Sequence, residues 1–241
     1  MSQSIDPRPE LPKRFYAGVA VAEGEGGHAI LLDGRPVKTP ARRPLAIRSR
    51  AVADAVAAEW DAQQERIDPA TMPVTRLVNT VVDAIADDPA PVRDDVARYA
   101  ETDLLFYRAA DPARLVERQR ERWDPILEWA HRSIGARFLL AEGVMHVAQP
   151  EPSLRAVAAR LAAIDDPFAV AAMHQVTTLT GSALLALALA DGHVSAEEAW
   201  SLAHLDEDWN IEQWGADAET EARRQLRWEE MQAAALVLAA R

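Results

Sequence analysis

The spacing of apolar residues changes along this 241-residue chain, and the change restricts the folds open to it. Near the start, apolar and polar side chains alternate as in a half-buried strand, at Phe15, Ala17, Val19 and Val21. Later the apolar residues recur one helical turn apart, beginning with Val52, Val56 and Trp60. The sequence therefore predicts an α+β fold: a small β-rich domain with one covering helix over residues 1–70, then a larger all-helical domain over 71–241.

Turn and capping residues support this plan. Asp33-Gly34 supplies the two positive-φ residues that a tight hairpin turn needs. Ser49 is placed to cap the covering helix, and Pro73 to begin the next helix, where its missing N–H costs nothing. Ser195, three residues before a glutamate, predicts another helix start.

The composition excludes several classes of protein. The chain has no cysteine, so it has no disulfide framework, thiolate metal site or cysteine nucleophile. Its net charge of −12 makes nucleic acid and anionic membranes poor partners, because both bind clustered cations. The polar start shows no secretory signal, and with the Ala- and Arg-rich composition this predicts a bacterial cytoplasmic protein.

One segment, residues 167–190, carries no formal charge and is long enough to span a bilayer. It contains polar residues such as His174, Gln175 and Thr177, and acidic rather than basic residues flank it. We therefore expect a central helix that is buried on all sides and no membrane insertion.

The acidic residues are concentrated in one region. Residues 191–222, called the acidic segment below, hold ten carboxylates and no Lys or Arg, and the other 28 acids nearly balance the 26 bases. Trp200, Trp209 and Trp214 are interleaved with these carboxylates. Two interpretations are open. The segment is either a solvated face whose tryptophans point into the core, or a surface on which charge steers another protein and aromatic residues hold it.

Catalytic and metal-binding patterns are mostly missing. Glu128 and His131 have the spacing of a helical di-metal ligand pair, but that site needs a second pair and two further carboxylates. Gly24, Gly26 and Gly27 do not fit a dinucleotide fingerprint, because their spacing is wrong and their context is a hairpin. We therefore predict no enzyme activity, no catalytic or metal-ligating residues and no cofactor.

Two clusters hold residue types that packing alone does not require. Arg76 stands among apolar residues at 72–80, and carboxylates adjoin a run of large apolar residues at 101–108. Buried charges must be paired, so a pair between Arg76 and Asp103 or Asp83 is the structural interpretation. Contact with a partner is the functional one.

Eight short sequence motifs follow one another along the chain. They are RFY at 14–16, LDGRPVKTP at 32–40, EWDAQ at 59–63, MPVTRLVNT at 72–80, TDLLFYRA at 102–109, WDP at 123–125, LTGS at 179–182, and DEDW through QWG at 206–215. In this order they resemble one family, the assembly chaperones for the α subunit of the F1 sector of ATP synthase. Asn210 and Phe106 depart mildly from the family pattern, in which glutamine and cysteine are common.

The resemblance implies a non-enzymatic chaperone. It would bind the unassembled α subunit, shield the surface later given to the β subunit, and promote assembly of the F1 hexamer. Unassembled ring subunits expose large apolar interfaces, which aggregate. We expect the protein to be monomeric when free and cytoplasmic in bacteria, with mitochondrial relatives in eukaryotes.

The candidate partner-binding residues are charged or aromatic: Asp206, Glu207, Asp208, Trp209, Glu212, Trp214, Arg76 and Asp103. Carboxylates of the acidic segment would meet basic groups on the α subunit, and Trp209 or Trp214 would enter an apolar contact. Truncating one partner of a buried charge pair costs about 2–5 kcal/mol. Glu212→Lys is therefore expected to abolish the complex without lowering the melting temperature.

Two other functions stay open. An acidic adaptor for another basic protein would share the acidic segment but would not need the other motifs. A metal-dependent or hydrolytic enzyme would need a bound ion, or a pocket in which ionisable groups converge, and turnover of a substrate.

Overall fold

The computed structural model describes residues 10–143 and 145–240. The chain divides into two units, the first ending at Asn79 and the second beginning at Thr80. The sequence analysis placed the boundary nine residues earlier, between residues 70 and 71. The first unit holds a three-stranded antiparallel sheet and one long helix, and the second is built mainly from helices. This confirms the α+β class predicted from the change in apolar spacing.

The sheet consists, in spatial order, of β1 (Val19–Gly24), β2 (Gly27–Leu32) and β3 (Arg35–Pro36). Asp33-Gly34 forms the turn between β2 and β3, with φ angles of 48° and 77°, as predicted. β1 begins later than the alternation from Phe15 indicated. The Asp33 carboxylate accepts the N–H groups of Ala17 and Gly18, which therefore do not join a strand ladder.

One helix, α1 (Arg50–Ala62), covers the sheet. The Ser49 hydroxyl accepts the N–H of Val52 at 3.5 Å and caps the helix, as predicted. Val52 and Val56 are buried, in agreement with the apolar stripe read from the sequence.

The next helix, α2 (Pro73–Thr80), begins at the predicted proline and is held by Glu59. The Glu59 carboxylate accepts the N–H groups of Val74 and Thr75 at 2.7 Å each, and the Thr75 hydroxyl at 2.6 Å. Burial raises the pKa of Glu59. This anchor explains why the unit boundary falls at the end of α2 and not before it.

The second unit contains eight α-helices within its described residues: α3 (Ala90–Tyr99), α4 (Ala113–Ile134), α5 (Glu151–Ala162), α6 (Pro167–Thr180), α7 (Ala183–Ala190), α8 (Ala196–Ala203), α9 (Leu205–Trp214) and α10 (Ala218–Ala239). A π-type turn at Val81–Ile85 precedes them. A short parallel pair, β4 (Tyr107–Arg108) and β5 (Ala141–Glu142), interrupts the helices that the sequence predicted.

The uncharged segment 167–190 forms two helices, so the expectation of one continuous helix was wrong. Gly181 ends α6 with a φ of 70°, and the Ser182 hydroxyl begins α7 by accepting the N–H of Leu185 at 3.0 Å. The residues of both helices are largely buried, which agrees with the expected central position. No helix in the described ranges combines the length and apolar character needed to cross a membrane.

Candidate protein-binding site

The acidic segment forms α8, α9 and the start of α10. The Ser195 hydroxyl caps α8 by accepting the N–H of Glu198 at 3.1 Å, as predicted. Three acids lie in the first turn of α9, and Asp217 caps α10 by accepting the N–H of Thr220 at 2.9 Å. Negative charge is favourable at a helix N-terminus, where unbonded N–H groups concentrate positive charge. Part of the acidic excess therefore stabilises the helices themselves.

Glu212 on α9 is bound by an arginine of α4. The Arg118 guanidinium donates to the two carboxylate oxygens at 2.8 and 2.9 Å and lies over the Trp209 ring, 4.9 Å from its centroid. The hydrogen bond from Arg118 lowers the pKa of Glu212. One cation thus holds both a carboxylate and a tryptophan of the acidic segment.

The other acids of α9 also have partners within the chain. Asp208 pairs with Arg224 of α10 at 2.5 Å, and Asp206 accepts a hydrogen bond from the amide of Gln119 at 2.7 Å. Glu207 is more open, with a side chain that is 40% exposed and 3.9 Å from the ring Nε2 of His204. Two more acids of the segment pair with arginines of α4 and α5: Glu198 with Arg122, and Asp191 with Arg160.

The acidic segment is therefore not an open negative surface. We expected Asp208 and Glu212 to be available to a partner, whereas in the structure arginines of the same chain bind them. The segment itself contains no Lys or Arg, and the cations come from α4, α5 and α10. Solvent-exposed ion pairs contribute little to stability, so the Arg118–Glu212 pair, with side chains that are 36% and 50% exposed, costs little to break.

The three tryptophans of the segment differ in exposure. Trp200 is buried, and its ring centroid lies 3.8 Å from that of His204. Trp209 is half-buried beside Arg118, while Trp214, the last residue of α9, is 88% exposed. An aromatic side chain this exposed is a candidate for contact with a partner.

The remaining candidates, Arg76 and Asp103, lie in different units. Arg76 is exposed on α2, where its charge opposes the burial that raises the pKa of Glu59. Asp103 is fully buried, and its carboxylate accepts the N–H groups of Leu105 and Leu184 at 3.1 Å each. Burial raises the pKa of Asp103 to about 6. Because its side chain is inaccessible, Asp103 is not part of the proposed binding surface.

Arg118 and Arg122 belong to the site but were not identified from the sequence. They lie one turn apart on α4 and line a groove of about 310 Å³ with residues of α8 and α9. The basic run RLVERQRER at 114–122 was the available signal. Nothing in the sequence indicated that α4 packs beside α9.

No group of three or more His, Asp or Glu side chains in residues 10–143 and 145–240 is placed to hold a metal ion. Glu128 pairs with Arg132 at 2.6 Å, and the ring of His131 contacts Arg137. The two residues that have the di-metal spacing therefore both contact arginines.

The fold and this site define a two-unit α+β protein whose shallow, charged and aromatic surface suits a protein partner. The family model described as the ATP12 chaperone protein matches residues 13–131, and the crystal structure of Atp12 from Paracoccus denitrificans is 39% identical, with a TM-score of 0.86. That match covers 95% of this chain and 98% of the Paracoccus chain. This chain belongs to the ATP12 chaperone family, whose members act in ATP synthase assembly.

Two further relatives agree with this assignment. The crystal structure of a chaperone candidate from Agrobacterium tumefaciens is 55% identical over 95% of this chain and 86% of that chain, with a TM-score of 0.90. The mitochondrial protein atp12 of Schizosaccharomyces pombe is 21% identical over 222 residues, which cover 87% of this chain and 76% of the yeast protein. The resemblance drawn from the eight segments is thus confirmed at the level of the family.

Proposed function

We propose that this protein binds the unassembled α subunit of F1-type ATP synthase, shields its subunit interface and promotes assembly of the F1 hexamer. Membership of the ATP12 family supports a chaperone role. The 88% exposed side chain of Trp214, at the end of a helix rich in carboxylates, is the observation on this chain that favours a protein client. Shielding an apolar interface prevents the aggregation to which unassembled subunits are prone.

Contact with the client combines burial of an aromatic side chain with exchange of ion pairs. Trp214 enters an apolar pocket of the α subunit, and Glu207 meets a basic group beside it. Glu212 exchanges Arg118 for a client cation, which is feasible because the side chains of this pair are 50% and 36% exposed. The exchange conserves the number of ion pairs, so the cost of breaking the internal pair is largely offset.

Release requires no chemistry by the chaperone. The β subunit competes for the same surface of the α subunit and displaces the chaperone, without nucleotide hydrolysis and without a metal or cofactor. In a bacterial cell this exchange takes place in the cytoplasm, and the released chaperone is a monomer.

Co-expression with the α subunit of the same source tests the proposal. The soluble fraction is separated by size-exclusion chromatography with in-line light scattering, which also gives the mass of the chaperone alone. We expect the α subunit to be insoluble by itself and to co-elute with the chaperone. A soluble α subunit that elutes separately, or one that stays insoluble, would contradict the proposal and favour an adaptor for another basic client.

A further inference from the structure

The proposed function assigns no role to three of the eight sequence segments, those at 14–16, 32–40 and 59–63. Residues of all three line one groove in the first unit, whose volume is about 540 Å³. Every lining residue belongs to the first unit. We call this feature the aromatic groove, after its side chains Phe15, Tyr16 and Trp60.

The wall of the aromatic groove is held by ring contacts and a hydrogen bond at its base and is open at its rim. Phe15 and Tyr16 pack edge to face with ring centroids 5.4 Å apart, and Tyr16 and Trp60 do so at 5.7 Å. The Tyr16 hydroxyl donates to the backbone carbonyl of Trp60 at 2.6 Å, and the Arg14 guanidinium covers the Tyr16 ring at 4.6 Å. Phe15 is 73% exposed. A large apolar surface held in a fixed position is suited to binding, because little order is lost when a ligand arrives.

The charge of the groove is opposite to that of the whole protein. Arg35 and Lys38 line it and are exposed, and within the described part of the chain neither has a carboxylate partner within 4 Å. Asp33 also lines it, and the hydrogen bonds from the N–H groups of Gly18 and Ala17 lower its pKa, so its carboxylate stays ionised. The charge of Arg35 acts in the same direction. Two cations against this one carboxylate leave the groove with a positive balance of charge.

We propose that the aromatic groove binds an extended segment of the client polypeptide in which a large apolar residue stands beside one or more carboxylates. The apolar side chain packs on Phe15, and the carboxylates pair with Arg35 and Lys38. The proposal rests on the proposed function for the identity of the client, the α subunit. It adds a second contact whose charge preference is opposite to that of the acidic segment.

The first arm of the test is a charge reversal. The double variant R35E/K38E of the full chain is compared with R42E/R48E, which makes the same change of net charge at exposed arginines of the first unit outside the groove. We expect the groove variant to weaken binding of the α subunit at least about tenfold and the control variant less than about threefold. Melting temperatures of both variants establish that they fold.

The second arm is cross-linking from the groove in the wild-type background. A photoreactive phenylalanine analogue replaces Phe15, whose exposure tolerates it, and the cross-linked peptides of the co-expressed complex are identified by mass spectrometry. We expect an α-subunit peptide with Asp or Glu next to a large apolar residue. Cross-links only to residues 1–9 of this chain, to a second copy, or to a client peptide without acids would overturn the proposal.

The two proposals fail in different ways. If wild-type protein does not retain the α subunit, the proposed function is wrong, and the groove proposal falls with it because its client is the same. If wild-type protein retains the α subunit and the groove variant binds it as tightly as the control variant does, only the groove proposal is wrong.

Discussion

The two charged surfaces of this protein differ in whether their charges are already bound. In the aromatic groove, Arg35 and Lys38 have no ion-pair partner within the described residues, although the protein carries a net charge of −12. In the acidic segment, Asp208 and Glu212 are paired with arginines of other helices. The distribution of charge along a sequence therefore does not show which charges are available to a partner.

Carboxylates that serve the fold are the extreme case of this contrast. Asp103 in the second unit and Glu59 in the first both accept backbone N–H groups at the start of a helix. Neither resembles the acids of α9, which are half-buried or exposed. The contrast is thus between bound and available charges, and it does not follow the division into two units. Five predictions test it, from the largest expected effect to the smallest.

Removing the Asp103 carboxylate has the largest expected effect. Asp103→Ala leaves the N–H groups of Leu105 and Leu184 without an acceptor in the interior, at a cost of about 1–3 kcal/mol for each group. We expect the free energy of unfolding in urea to fall by about 4 kcal/mol. Asp165→Ala, at a carboxylate that is 94% exposed and lies 3.4 Å from Arg93, is the control and should change it little, because an exposed ion pair contributes little to stability. Equal effects of the two variants would break the contrast between buried carboxylates that serve the fold and exposed ones.

The pH dependence of stability provides a second test at the same residue. Burial raises the pKa of Asp103 to about 6, so the folded state holds this proton more tightly than the unfolded state does. The resulting stabilisation is complete below about pH 4 and is lost as the pH rises through about 6. The difference in unfolding free energy between wild type and Asp103→Asn should therefore fall by roughly 3 kcal/mol between pH 4 and pH 7. A constant difference would mean that the buried carboxyl has an ordinary pKa.

Glu59 tests the contrast in the first unit. Glu59→Gln keeps one acceptor but turns an amide toward the N–H groups of α2, so we expect a loss of about 2 kcal/mol. Hydrogen exchange at Val74 and Thr75 should accelerate more than exchange in the β-sheet. Glu65→Gln, at an exposed glutamate of the same unit, is the control. Unchanged exchange at the start of α2 would show that Glu59 does not anchor this helix.

The local elements of the fold could be predicted because their signals are local. The turn at Asp33-Gly34 and the caps at Ser49 and Ser195 each depend on residues at most three positions apart, and all three were confirmed. The break at Gly181 was missed for the opposite reason. Apolar residues continue on both sides of it, so the spacing alone did not show that a new helix begins there.

The candidate site was less predictable because its contacts are distant in the sequence. Arg118 and Glu212 are 94 positions apart, and no pattern in either segment indicates that α4 and α9 adjoin. The residue types of the acidic segment were therefore apparent, while their pairing was not. The aromatic groove shows the same limit, since its lining comes from three separate segments.

Trp214 tests which part of the acidic segment meets the client. An exposed aromatic residue that becomes buried in a complex typically contributes about 2 kcal/mol, so Trp214→Ala should weaken binding of the α subunit about thirtyfold without changing the melting temperature. Leu226→Ala, at a residue of α10 that is 56% exposed, controls for general loss of apolar surface. Binding constants from titration of purified α subunit decide the outcome. Equal losses in the two variants would argue against a specific role for Trp214.

The smallest effect expected is at Glu212, and it separates internal pairing from client contact. Glu212→Lys places a cation beside Arg118. Binding of the wild-type protein already breaks the Arg118–Glu212 pair, so the variant loses only the difference between the two contacts of Glu212. We now expect binding to weaken about tenfold and not to disappear. The double variant E212R/R118E restores an ion pair with reversed polarity. If Glu212 serves only to hold α9 against α4, the double variant recovers both melting temperature and affinity. We expect it to recover the melting temperature alone, because a client cation that meets Glu212 in the wild-type protein would face an arginine in the variant.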